Sequence, residues 1–272
     1  MTTLRMRLLR TTLALTASCP CMALADGRTT GQTIEYEIAQ TSTTKTDLSS
    51  LPASVRAQAE KNQAAANGKK ATTNVTMIID SIDADGNAHV NAKFTQSMEG
   101  VAGTAASVFA AAHEFQGTFS ADGRVLPTVD ANASPATDSH GRYTAANAPN
   151  MHAQQMQGTF LDFNTFITGA SKRQKFKTGD VWHLAMQDAI GITRQYDFSV
   201  LELDSANPAI AVISMKCEFS GESSFQKVSA SGRYDAMKKI LIMYHEENVY
   251  GSSLPNGMST SGEMVEDIKL RK

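Results

Sequence analysis

The sequence predicts a mainly β (α+β) protein: antiparallel sheets or a half-barrel of about eleven strands in two similar halves, with two helices. Three observations carry this. Lys177 to Gln187, KTGDVWHLAMQ, turns at a glycine and a carboxylate, and then Trp182, Leu184 and Met186 alternate with Val181, His183 and Ala185. Gly31 to Gln40, GQTIEYEIAQ, repeats the construction, with Ile34, Tyr36 and Ile38 alternating with Glu35 and Glu37. Such alternation is the period of a half-buried strand. Lastly, Gly117 to Leu126 matches Gly232 to Leu241 without a gap, keeping glycine, alanine and leucine.

The N-terminus is set aside from fold reasoning. Arg5, Arg7 and Arg10 precede a mostly apolar stretch from Leu13 to Leu24, which ends Ala23-Leu24-Ala25. Basic region, short apolar region and A-x-A site form a secretory signal peptide over residues 1–25, too short to span a bilayer unaided. The expected location is therefore periplasmic or secreted. The alternative is an outer-membrane lipoprotein anchored through Cys19, against which Thr16 stands where a larger apolar residue is usual. Cys19 and Cys21 leave with the leader, so Cys217 remains alone and no internal disulfide can form. Basic residues number 25 against 27 acidic ones, and the leader removes three arginines. The balance excludes a strong positive field, and with it a nucleic-acid partner.

Residues 26–148 read as an N-terminal β half. After the first strand, Ser50-Leu51-Pro52 opens an alanine-rich helical insertion at about 52–67, ending at Asn67-Gly68. Its apolar face is weak, which favours an exposed helix over a lid. Val75 to Asp83 and Ala88 to Phe94 flank Asp85-Gly86, read as a type I′ hairpin. Phe115 to Phe119 and Val125 to Val129 flank Asp122-Gly123. The segment Ala131 to Asn150 is rich in Asn, Ser, Pro, Thr and Ala and reads as a connection.

Residues 149–272 read as a helix plus a C-terminal β half. Met156, Phe160, Phe163 and Ile167 fall at helical spacing, predicting one amphipathic helix from about 151 to 168 packed against a sheet. A meander follows: Ile192 to Asp204, Ile210 to Ser220, Ser224 to Tyr234 and Lys239 to Val249. Asn256-Gly257 then turns into a closing strand at about Met258 to Leu270. Val75 to Phe94 aligns with Tyr196 to Phe219 when the second hairpin is four residues longer, which sets Cys217 on Ala92. This internal repeat reads as duplication of one β unit.

The glycine-led strand, the Asp-Gly hairpin, the G-x-aromatic strand and the K-x-G-D-x-W restart resemble uncharacterised bacterial envelope families, secreted or lipoprotein-type, built of duplicated antiparallel β halves. The strand count is similar to the half-barrel of periplasmic lipoprotein carriers. That resemblance implies an open antiparallel sheet wrapped around helices that shelters acyl chains, and architecture alone carries little about function.

No catalytic signature appears: no G-x-S-x-G, H-E-x-x-H, P-loop or dinucleotide fingerprint. His89 and His183 fall on the polar phase of strands, and His140 in the connection. His245 and Glu247 share a strand face, but no third metal ligand accompanies them. Asp80, Asp83 and Asp85 fall short of a calcium loop, and a hairpin explains them. Met151, His152 and Met156 are soft donors for copper, yet helix packing accounts for them more simply. Lys172, Arg173, Lys175 and Lys177 could meet anionic headgroups or form a solvated loop. Cys217 reads as a buried structural thiol, and Trp182 as a core anchor in register with Ile34. No cofactor and no metal are expected.

The functional expectation is an exported envelope protein, not an enzyme by any recognisable motif. Its partner is an apolar small molecule or lipid held on a concave β face by Trp182, Leu184, Met186, Phe160 and Phe163. Two alternatives stand beside it. One is a structural or protein-interaction module binding another envelope protein. The other is an unrecognised hydrolase, which requires a concave cluster of titratable groups.

Overall fold

Each predicted alternation becomes a strand with one buried face. In the computed structural model, which describes residues 28–100, 110–129, 148–187, 193–253 and 258–271, Ile34, Tyr36 and Ile38 are all buried while their neighbours are not. The leader with Cys19, most of the connection before residue 148, and the Asn256-Gly257 turn lie outside the described residues.

The described strands are β1 (Thr33–Thr46), β2 (Lys70–Ile82), β3 (Ala88–Met98), β4 (His113–Phe119), β5 (Val125–Pro127), β6 (Val181–Gln187), β7 (Thr193–Leu203), β8 (Ile210–Ser220), β9 (Ser224–Asp235), β10 (Ile240–Ser253) and β11 (Ser259–Leu270). They form one open antiparallel sheet in the order β5-β4-β3-β2-β1-β11-β10-β9-β8-β7-β6. Chain order thus runs from the centre to one edge, restarts at the opposite edge, and returns to the centre. There β11 pairs with β1 along its length, Ile38 opposite Ile268.

The two marches share a register. Ile34 pairs with Met77 as Trp182 pairs with Phe198. Gly31 and Gly179 both take positive φ, 82° and 85°. Their amides donate to the carbonyls of Ile79 and Val200, at 2.8 and 2.9 Å. A bulge falls between Ile79 and Ser81 in β2, and between Val200 and Glu202 in β7. One detail differs from the sequence alignment. Met77 faces Ala92 while Phe198 faces Met215, so Cys217 takes the place of Phe94 rather than Ala92. A slip of two residues keeps every side chain on its own face, so alternation alone cannot distinguish the two registers.

The Asp85-Gly86 turn also departs from expectation. Ile82 pairs with Ala88, so the loop is Asp83–Asn87 and not a two-residue connection. Only Gly86 has positive φ, at 83°, whereas type I′ needs two such residues. The Asp83 carboxylate instead accepts the amides of Asp85 and Asn87, both at 2.9 Å, closing the wider loop.

Three helices are described, not two: α1 (Ala53–Ala66), α2 (Ala148–Thr159) and α3 (Leu161–Ala170). Exposed α1 is tied to β1 through Thr44, whose carbonyl accepts from Gln63 at 2.8 Å and from Asn67 at 2.7 Å. The expected long helix breaks at Phe160, with φ −93° and ψ 9°. The break lets α2 lie over β4 and β5 while α3 sets Phe163 and Phe166 against Tyr244 of β10 and Phe198 of β7. Phe160, Phe163, Phe166, Ile167 and Ala170 are all at 0% exposure. Burying each phenylalanine is worth about 1.5–3 kcal/mol, far more than one interrupted helical turn forfeits. Two glycines permit the approach. A Cβ on Gly169 would stand 2.0 Å from the Phe198 ring, and one on Gly232 2.7 Å from the Phe166 ring.

The helices form a strap between the sheet's two edges. β5 and β6 are those edges, and the chain from one to the other carries α2 and α3. Asn164 of α3 pairs with β5 as a strand would, accepting the Val125 amide at 2.8 Å and donating to its carbonyl at 2.7 Å. Arg173, just past α3, donates to the Val181 carbonyl of β6 at 3.3 Å. Both edges are therefore partly covered, which blunts edge-to-edge association.

Candidate functional site

Trp182, Leu184 and Met186 lie on successive inward positions of edge strand β6, where all three are half-buried against the core. Trp182 stacks on Phe198 at 5.3 Å and 10°, and its indole N–H donates to the Gly169 carbonyl at 3.0 Å. The Arg173 guanidinium lies 5.0 Å from its ring centroid. Phe160 and Phe163 are elsewhere. They pack edge-on against each other at 5.4 Å, and against Tyr36 at 6.3 and 5.5 Å. Of the five expected ligand-binding residues, Trp182 meets α3 and Met186 lines a cleft at its side, while Phe160 and Phe163 are themselves fully buried. Phe160 and Phe163 fill the space beneath the strap themselves.

Open space lies at the rim. A cleft of about 190 Å³ runs between the first turn of α3 and strands β6, β7 and β9, lined by Leu161, Asp162, Met186, Arg194, Tyr196 and Gln226, among others. An adjoining cleft of about 240 Å³ has Met186 on one wall and Leu126 and Pro127 of β5 on the other. Both are below the roughly 300–1,000 Å³ of drug-sized ligand sites.

The sheet's inner face carries a second feature, in the cross-strand row of Trp182. That row runs Gln40, Glu266, Glu246, Ala230, Met215, Phe198, Trp182. Glu246 is at 0% exposure and Glu266 at 2%, so two adjacent carboxyls lie inside an apolar core. Asp162, in the first turn of α3, shares a hydrogen bond with Glu246. The Tyr244 hydroxyl and the Asn248 amide also donate to Glu246. Gln226 links Asn248 to Arg194, and Gln40 donates to Glu266.

Burial raises all three acids, because the charged form loses its hydration. Glu246 is pushed up to about 8, first by burial and then by the negative charge of Asp162. Glu266 is raised to about 7, again by burial, with the Gln40 hydrogen bond working against it. Asp162 is raised by burial, opposed by its hydrogen bond to Glu246 and by Arg194. A hydrogen bond between two carboxyls needs a proton on one of them, and Glu246, the more deeply buried of the two, is the one that loses most by being charged. Tyr244 is driven well up by burial and by Glu246, and Tyr196 to about 12 by burial.

Chemically this is a protonated acid beside an ionisable one, the pairing an acid–base hydrolase uses. Glu246 and Glu266 are buried, whereas Asp162 lines a cleft. Among the described residues no group of three or more His, Cys, Asp or Glu is placed to hold a metal ion. His245 pairs with Asp267 at 3.0 Å and approaches Glu247 at 3.7 Å, all on the outer face. His152 of α2 lies against His113 of β4, ring centroids 4.4 Å apart, beside Phe94. Cys217 is buried, and burial raises its thiol.

Neither Glu246 nor Glu266 is among the expected site residues. Glu266 was legible, since it shares the inward phase of Ile268. Glu246 was masked by a bulge between Leu241 and Met243, which reverses the alternation read from Leu241.

No protein-family model matches the chain, and no curated protein matches it. A solved structure described as lipid–protein interactions in lipovitellin superposes with a TM-score of 0.48 at 8% identity, over 90% of this chain and 25% of that one. The chain therefore spans a quarter of that neighbour's length, and a likeness so distant assigns it neither a family nor a function.

Proposed function

We propose that the chain is an exported carrier or receptor for an apolar ligand or lipid, taken up between the inner face of the sheet and the α2–α3 strap. The observation that carries this is the strap itself. Phe163 and Phe166 of α3, with Phe160 at the break before it, are each fully buried against the inner face of the open sheet, the trough into which a ligand would enter. The helix is held at its rim by a few polar contacts: Asn164 to β5, Asp162 to β10 and Gly169 to Trp182. An acyl chain entering there would keep the sheet's apolar inner face covered, which offsets part of the cost of displacing the rings. Trp182, Leu184 and Met186 then line the entry. In this reading the protein works outside the cytoplasm once residues 1–25 are removed, and intact mass of the purified protein distinguishes a free N-terminus from an acylated Cys19.

The test is saturable uptake of a fluorescent fatty acid, with native mass spectrometry of protein purified from envelope extract. A bound apolar species and saturation support the reading. Ligand-free protein with no saturable uptake removes it.

One observation favours a second reading, a structural or interaction module. Phe160, Phe163 and Phe166 occupy the inner face as it stands, and α1 is exposed, with Val55 at 52%. Deleting Pro52 to Asn67 should then leave folding intact and abolish capture of an envelope partner. The hydrolase reading has its cluster of titratable groups, but Glu246 within it is fully buried.

A further inference from the structure

We propose that α3 is fastened to the sheet by the proton shared between Asp162 and Glu246, so that losing this proton releases the helix from the inner face. Asp162 belongs to the strap and Glu246 to β10, so their hydrogen bond crosses the helix–sheet interface. Two ionised carboxylates cannot occupy that geometry, because neither has a hydrogen to donate and their charges repel in a medium that screens poorly. Glu266 of β11 stands directly opposite Glu246 and adds a third acid to the same layer.

The other groups facing the pair do not replace the proton. Tyr244 of β10 and Asn248 of β10 donate to Glu246 but not across the interface. Tyr196 of β7 and Cys217 of β8 are held in their neutral forms by burial. Arg194 of β7 is the one cation among them, and it lowers Asp162, which leaves Glu246 as the proton's holder. Gln226 of β9 and Gln40 of β1 are neutral.

The sign follows from the docked and released states. Released, both carboxyls meet water and ionise in the ordinary carboxylate range. Docked, Glu246 keeps its proton to about 8. The docked state therefore binds more protons, and docking weakens as pH rises from about 4.5 towards 8. Release uncovers Phe160, Phe163 and the trough, which makes proton loss an opening signal for the site proposed above. Fastening itself rests only on the helix–sheet contact, and the ligand reading enters at the uptake step alone.

The experiment is hydrogen exchange on the ligand-free protein from pH 5.5 to 9, corrected for intrinsic exchange rates. In the wild type, protection of the α3 amides should fall by about tenfold or more, the equivalent of one pKa unit of differential binding, while β2 and β3 stay protected. Glu246→Gln and Asp162→Asn each retain a donor across the interface; the first removes the titrating group and should flatten the fall, and the second removes its charged neighbour and should shrink it. Asp162 is the more exposed of the two, which keeps the test usable should Glu246→Gln fold poorly. Unchanged α3 protection in the wild type, an equal fall in both variants, or loss of β2 and β3 together with α3 overturns the proposal. A parallel titration with a fluorescent fatty acid separates the two ideas. Helix release without uptake upholds the proton fastening and removes the ligand reading. Uptake with an unchanged helix does the reverse.

Discussion

Trp182 donates its indole N–H to the carbonyl of Gly169 at 3.0 Å, joining the edge strand β6 to the last turn of α3. The chain has one tryptophan, so its emission reports the position of the strap without a label. Gly169 cannot carry a side chain there, because a Cβ would stand 2.0 Å from the Phe198 ring on which Trp182 stacks. Gly169→Ala should therefore cost about 1–3 kcal/mol by overpacking. Thermal melts would show a lower Tm, and the emission should shift to the red. An unshifted Tm would mean that α3 does not press on β7 as described.

Phe163 has Tyr36 on one side at 5.5 Å and Tyr244 on another at 6.4 Å, with no exposed surface. Truncation to alanine should destabilise the fold by about 3–5 kcal/mol, the sum of lost transfer energy and residual cavity. If the trough accepts apolar ligands, the same variant should regain stability on adding a fatty acid, since a ligand bound only by the folded state raises Tm. Denaturant titration with and without ligand measures both effects.

Glu266 gives a dependence of overall stability on pH. Its folded value is raised to about 7 against an ordinary 4.5, so between those limits the folded state holds a proton the unfolded chain has shed. Stability should fall with rising pH across that window and level off above it. Glu266→Gln removes the titration and keeps a partner for Gln40. At pH 8 it should be more stable than the wild type by about 2–3 kcal/mol, while at pH 4 the two should match. Melts at both pH values decide.

His152 contributes in the opposite sense. Burial, and then the nearby His113, lower its value below the ordinary 6.5. The folded state then resists protonation that the unfolded chain accepts, so this stability is present above pH 6.5 and is lost as pH falls below it. His113→Gln should flatten the acid side of the profile. Exchange of the α2 and β4 amides at pH 5 and 7 would locate the effect.

Asn164 satisfies both backbone groups of Val125 on the outer side of β5. Alanine there should cost about 1–3 kcal/mol for the stranded amide and carbonyl. It should also expose an unpaired strand edge, seen as concentration-dependent association in analytical ultracentrifugation.

The relation between sequence and fold is clearest at the two leading strands. Ile34 and Trp182 were placed in register from alternation and a preceding glycine, and in the structure their cross-strand partners, Met77 and Phe198, correspond as well. The mainly β class, the phase of the leading strands, the exposed α1 and the burial of Cys217 all follow from period and composition, which act over a few neighbouring residues. The limits of local reading show at Phe160, where a continuous helical stripe breaks because tertiary burial outweighs one turn of hydrogen bonds. They show again at Glu246, whose phase is set by a bulge that no local pattern announces.

What the chain encodes residue by residue is which faces are apolar, because side-chain direction depends only on the backbone period. What needed the folded protein is which faces meet. Asp162, Glu246 and Glu266 are far apart in the chain and become one acidic layer only when the strap crosses from β5 to β6. The carboxyl shifts come from that burial and mutual proximity, and neither exists in the linear chain.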